Sequence, residues 1–156
     1  MVFIRSMIIS HTCKIAVRAA ANIASRHPFE KAVTGKQLAA EIGENPHTVA
    51  KVLQVLVKHR LLSSSRGASG GFYFSIAQLA NRIIDIVSVI DGKEVLDTCV
   101  LGLHTCSEKN SCLFHGRFEE VRTGIKKVFY QTNIQELGRE LSKRKVPGFK
   151  EVSSYD

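Results

Sequence analysis

The stretch from Thr34 to Pro46, TGKQLAAEIGENP, constrains the fold more than any other part of this 156-residue chain. Thr34 and Gln37 stand in the capping-box relation, ready to satisfy the first free amides of a helix, and Leu38, Ala39 and Ile42 give that helix an apolar face. Gly43 permits the left-handed turn that ends it, after which Asn45 and Pro46 open a second helix with a good cap and a proline at the first helical position. That arrangement is a helix-turn-helix. In the second helix Val49, Val52, Leu53 and Leu56 recur at helical spacing and turn inward, so His47, Lys51, Gln54 and Lys58 share another face. Such a face can offer lysine to phosphates and Gln or His to base edges in a major groove. An ordinary solvated helix face has the same composition.

The residues that follow separate those two readings. Leu61 to Ser65 and Phe72 to Ser75 read as short strands joined by RGASGG, whose glycines allow backbone close to a partner. This is the pattern of a wing, with Arg66 at its tip to enter a minor groove or meet phosphate. Helix, turn, helix and wing in this order are far more specific than any one of them. The predicted DNA contacts are His47, Thr48, Lys51, Gln54 and Arg66, with Ser64 and Ser65 against the DNA backbone. With 22 Lys+Arg against 14 Asp+Glu the net charge is +8, which suits a polyanionic partner.

Around this unit the chain is mostly helical. CKIAVRAAANIASR reads as a first helix rich in small residues, with Cys13 a small buried thiol. Asn81 is expected to cap a helix carrying Ile83, Ile84, Ile86, Val87 and Ile90, which Gly92 ends. Further on, Phe118, Val121, Ile125 and Val128 repeat at helical spacing and need a partner surface, with Arg117, Arg122, Lys126 and Lys127 largely on other faces. Thr132 and Gln135 suggest a capping box opening a short helix through Leu137 and Leu141, and the tail from Lys143 is polar. No apolar run approaches the roughly 18 residues of a membrane span, and the N-terminus lacks a secretory h-region, so a cytoplasmic protein with no membrane partner is expected.

Between the two apolar helices lies TCVLGLHTCSEKNSCLFH, where Cys99, Cys106, Cys112 and His115 follow a CX6CX5CX2H spacing. In a reducing compartment such cysteines are metal ligands or reactive thiols rather than a disulfide framework. Thiolates bind the iron of a cluster, and an imidazole in place of one makes the site less negative and its potential higher. Cys112 and His115 are three apart and can point to one side of a helix start, where the positive helix end favours thiolate. His104 competes but lacks that relation to a cysteine. Structural zinc on three Cys and one His, and metal-free oxidation of Cys106 and Cys112 to a disulfide, stand as alternatives. An enzyme with a Cys–His pair finds no phosphate loop, paired acids or nucleotide fingerprint beside it. A winged module that binds protein rather than DNA is disfavoured by the basic excess and Arg66.

These residues together resemble the Rrf2-type bacterial transcription regulators over nearly the whole chain. The resemblance rests on SHTCKIAVRAAANIA, on LAAEIGENPHTVAKVLQVLVKHRLLSSSRGASGGFYFS, on IIDIVSVIDG and on the cysteine spacing, the run from Lys58 through the wing glycines being the most specific. It implies a mainly α fold with a small β wing: a winged helix-turn-helix plus a long C-terminal dimerisation helix. It further implies a homodimer on double-stranded DNA with a pseudo-palindromic operator, repression as the default direction, and a usual family start near Met7. In cluster-binding members three cysteines precede the long helix; here they correspond to Cys99, Cys106 and Cys112, with His115 completing a [2Fe-2S] site. A [4Fe-4S] cluster, zinc or no metal stand beside it. One departure concerns Cys99: six residues separate it from Cys106 where the family pattern has five, an insertion a loop absorbs more easily than a helix. The expected organisation is a DNA-binding domain over residues 1–80, a cluster-binding loop and dimerisation helices over 81–145, and a flexible tail over 146–156.

Overall fold

A computed structural model of the chain describes residues 8–26, 32–99, 101 and 109–143. Helix α1 (His11–Ser25) opens where the Ser10 hydroxyl accepts the Cys13 amide at 3.0 Å. Its alanines explain its central place: Ala16, Ala19, Ala20 and Ala24 are all buried, so neighbours approach it from several sides. Cys13 is fully buried, as expected of a small core thiol.

Helices α2 (Gly35–Ile42) and α3 (Pro46–Lys58) form the helix-turn-helix. Thr34 accepts the Gln37 amide, Gly43 takes the left-handed conformation at φ 69°, and the Asn45 side chain accepts the amides of His47 and Thr48. Arg18 of α1 braces the turn by donating to the Ile42 carbonyl and pairing with Glu44 at 2.8 Å. Val49, Val52, Leu53 and Leu56 are buried, as their spacing predicted.

The wing is shorter than expected. Strands β1 (Ser63–Ser65) and β2 (Gly71–Tyr73) pair antiparallel with Ser64 opposite Phe72, and Val33 bridges Phe72 from the other side. Two of its three glycines, Gly70 and Gly71, make room for the chain's own backbone. A Cβ on Gly71 would lie 2.6 Å from the Val33 backbone, and one on Gly70 would lie 2.5 Å from the Ser65 carbonyl oxygen. Helix α4 (Ile76–Leu79) begins with a reciprocal Ser75–Gln78 capping box. Gln78 also accepts from the Ser63 hydroxyl and donates to the Arg60 carbonyl, both at 3.0 Å, which ties down the base of the wing.

Helix α5 (Ile83–Ile90) buries Ile83, Ile84, Ile86 and Val87. Arg82, not Asn81, is its cap residue: the Asp85 carboxylate accepts the Arg82 amide at 2.8 Å. The Asn81 carbonyl instead accepts from Ile134 at 2.9 Å, because the chain here pairs with the corner between the last two helices. A 3-10 turn (Lys93–Asp97) leads to Cys99, and α6 (His115–Gln131) follows the cysteine segment. Helix α7 (Ile134–Lys143) is capped by Asn133 rather than Thr132, in a reciprocal exchange with Glu136 at 2.8 and 2.9 Å. It returns to α1, with Gly138 so close to Ala24 that a Cβ there would meet its atoms at 2.6–2.8 Å.

Two apolar clusters result. The larger joins α1, α2, α3, the wing residues Leu62 and Phe74, Ile86 and Ile134. The smaller joins Cys13, Ile83, Ile84, Val87 and Leu96 with Ile125, Phe129 and Leu137. The apolar stripe on α6 is therefore divided, a correction to the single partner face its periodicity suggested. Ile125 packs inward and Phe118 is half-buried, whereas Val121 and Val128 are 50% and 56% exposed. Arg122, expected on another face, is 9% exposed. The tail over 146–156 and the first residues, Met7 included, lie outside the described residues. No described helix is long and apolar enough to cross a membrane.

Candidate nucleic-acid interface and metal loop

On α3 the buried valines and leucines force the remaining residues outward. His47, Lys51, Gln54 and Lys58 are exposed along one stripe, and Thr48 is half-buried beside them. The Asn45 side chain caps the first turn of α3 by accepting the His47 and Thr48 amides, so their backbone donors are satisfied within the chain. Beside α3, Phe72 of the wing packs near Gly35 and Ala50, so wing, α2 and α3 meet at one corner. Ser64, Ser65 and Arg66 are exposed at the wing. Two further basic residues escaped the sequence reading. Lys36 is exposed in the first turn of α2, and Arg60 is exposed at the corner after α3 with φ 61°. The TGKQ box itself marked the helix start where Lys36 sits, and only the backbone conformation reveals Arg60.

The second group follows α5 in the chain. Cys99 is buried just after the 3-10 turn, and Cys112 is half-buried before α6. The His115 amide donates to the Cys112 carbonyl at 3.0 Å, which sets the two residues on one turn at the start of α6. The His115 side chain is 16% exposed; its Nε2 lies 3.5 Å from Glu119, and its Nδ1 is buried without a hydrogen-bond partner. Cys106 and His104 lie outside the described residues. Among the described residues no three such side chains close around one point. Burying an imidazole nitrogen without a partner is costly, and a metal centre would relieve that cost. Three thiols and one imidazole, with that nitrogen free, fit an iron–sulfur cluster chemically.

A family profile described as Rrf2, iron-dependent transcriptional regulator, matches residues 9–140. This chain belongs to the Rrf2 family. It is 31% identical over 136 residues to a protein of Aquifex aeolicus (strain VF5) described as an HTH-type transcriptional regulator, covering 84% of this chain and 91% of that one. Its fold is similar to that of CymR (YrzC), the global cysteine regulator of B. subtilis, with TM-score 0.69 and 20% identity over 85% of this chain and 96% of the other. It is also similar to T. potens IscR, with TM-score 0.65 and 20% identity over 86% and 88% of the two chains. The Rrf2 chain is thus a winged-helix, DNA-binding transcriptional regulator and not an enzyme.

Proposed function

We propose that this Rrf2 chain is a homodimeric repressor that binds a pseudo-palindromic operator and whose grip is set by an iron–sulfur cluster, [2Fe-2S], on Cys99, Cys106, Cys112 and His115. The observation that carries the metal reading is the buried, unpartnered Nδ1 of His115, on the same turn as Cys112. When bound, a cluster would supply an iron centre sensitive to oxidants and nitric oxide. The chain's own residues do the rest.

On the DNA side, residues 1–80 form the reading head. His47, Thr48 and Gln54 meet base edges, Lys51 and Arg66 meet phosphate or minor groove, and Ser64 and Ser65 meet the DNA backbone. On the sensing side, residues 81–145, the ligand set joins the end of the 3-10 turn to the first turn of α6. Both elements are anchored to the smaller core: Leu96 from one, Ile125 and Phe129 from the other, with Lys126 paired to Asp97 at 2.5 Å. Any pull between Cys99 and Cys112 is therefore passed to α6 as a whole. The outward face of α6 carries Val121, Gly124 and Val128, and a Cβ on Gly124 would have open space around it. Leu113 and Phe114, 93% and 44% exposed just before α6, add apolar surface at its start. A second copy packed here would link α6 orientation to the separation of the two recognition helices. A coupling of about 1–3 kcal/mol corresponds to roughly 5–150-fold in DNA affinity.

Anaerobic purification with an absorption spectrum and iron, sulfide and zinc analysis tests the reading. Wild type should be coloured with iron and sulfide in equal amounts, and Cys106→Ala and His115→Ala should lose or alter the cluster. A colourless, zinc-loaded protein contradicts it. A metal-free protein that loses DNA binding on peroxide treatment replaces it with a thiol switch.

A further inference from the structure

Between the 3-10 turn and α6 lies a small cleft, half open to solvent, that is lined by none of the described residues assigned to DNA reading or to the ligand set. Ile8, Leu96, Phe118 and Ile125 give it apolar walls, and Thr98 and Arg122 are its polar lining. The Arg122 side chain is 10% exposed. A guanidinium carries five N–H donors. Yet the one partner of Arg122 among the described residues is Glu119, at a long 3.4 Å and on a carboxylate that is itself 56% exposed. An ion pair that exposed is weak, and a buried cation so poorly matched is costly unless another anion completes it.

We infer that this cleft is an effector site for a small monocarboxylate with a short apolar tail, anchored through its carboxylate on Arg122. The charge count selects that class. Lys126, the neighbouring cation on α6, is already paired with Asp97, so among the described residues the cleft offers one under-matched positive side chain, enough for a monoanion and too little for a phosphate dianion. The size admits only a few heavy atoms beyond the carboxylate. Occupancy would fix the spacing between the two elements that flank the cysteine loop, so the ligand would act on the same joint as the proposed metal site. Among the described residues no proposed ligand lines the cleft; Glu119 faces both Arg122 and His115, so Arg122→Met, which leaves the His115 contact in place, is the variant that separates the two ideas.

The probe is isovalerate, with neutral isovaleramide as its control, titrated into the purified full-length protein and followed by two-dimensional amide NMR. Isovalerate should shift the Thr98 and Ile125 signals saturably, and isovaleramide should not. Arg122→Met should weaken isovalerate about tenfold or more, the loss expected for a charge-assisted pair. Glu119→Gln, at a mostly exposed position, removes the competing carboxylate and should tighten isovalerate, an effect that a purely structural Arg122 would not produce. No saturable shift in wild type, equal binding of the amide, or unchanged affinity in Glu119→Gln would each overturn the proposal. So would an Arg122→Met variant that binds isovalerate normally but shifts the monomer–dimer equilibrium in sedimentation, since Arg122 would then belong to a subunit contact.

Discussion

The two sides of this molecule close their polar and apolar accounts differently. In the reading head each described helix start is satisfied by a side chain next to it: Ser10, Thr34, Asn45 and Ser75 each accept an amide of the helix they open. Its buried apolar residues fill one main cluster, with Ile76, Tyr73 and Val55 left exposed at 81%, 39% and 36%. Among the described residues its buried polar side chains are satisfied except at Asn22, whose Nδ2 is unpartnered. On the sensing side α6 starts without a side-chain cap, His115 buries a free nitrogen, Arg122 is under-matched, and Leu113, Val121 and Val128 face solvent. The satisfied helix starts make the reading head a rigid platform for its exposed polar face, whereas the under-matched His115 and Arg122 of the sensing side leave room for a further partner.

That contrast breaks most readily at the core. Leu53→Ala in α3 should cost about 2–5 kcal/mol in denaturant unfolding, because the site is fully enclosed. Val121→Ala on the outward face of α6 should cost no more than about 0.5 kcal/mol in the monomer. Equal losses would mean that α6 is part of the closed scaffold. Glycines sharpen the point. Gly138→Ala forces a methyl against Ala24 and should cost about 1–3 kcal/mol, whereas Gly124→Ala meets open space and should gain up to about 1 kcal/mol of helix propensity. If Gly124→Ala also weakens self-association in sedimentation, the outward face is the subunit contact.

A smaller effect separates DNA contacts from the rest. Lys51→Ala and Arg66→Ala should each leave unfolding unchanged while weakening DNA binding, each flattening the log–log salt slope by roughly 1. Unchanged affinity and slope in both would remove α3 and the wing as the reading surface. The smallest effect is expected at Cys13. Burial, with the Asp91 carboxylate adding to it, pushes its thiol up to about 12. A group whose folded value is raised stabilises fully below its unfolded value, 9.0, and loses that contribution as pH climbs from there toward about 12. Cys13 should resist alkylation in the folded protein near neutrality and cause no change in stability there; rapid labelling by iodoacetamide under native conditions would refute this.

The reading head was legible because its signals are local. Thr34, Gly43, Asn45 and Pro46 act within a few residues of themselves, and the inward face of α3 needs only helical periodicity. Legibility failed where distant chain segments decide. Asn81 and Thr132 look like caps, but a bridge between Arg82 and Asn133 shifts both starts by one residue. The α6 stripe was visible as apolar, yet periodicity cannot tell which members face the chain's own core, so the division between Ile125 and Val121 and the burial of Arg122 were hidden. Of the three wing glycines, Gly71 admits the backbone of Val33 and Gly70 the wing's own turn, contacts that a local reading of RGASGG does not specify. For the cysteines, residue chemistry left cluster, zinc and thiol readings open, and resemblance narrowed them. The free nitrogen of His115 adds what neither held.

The claim that the open side controls the closed one rests most directly on one measurement. A duplex selected by the protein from a random-sequence pool is titrated in anaerobic fluorescence anisotropy with protein as purified, with the same protein stripped of metal, and with Cys112→Ala. Metal removal should change affinity by roughly 5–150-fold, and Cys112→Ala should match the stripped protein whether or not metal is supplied. Equal affinities in all three states would contradict the account.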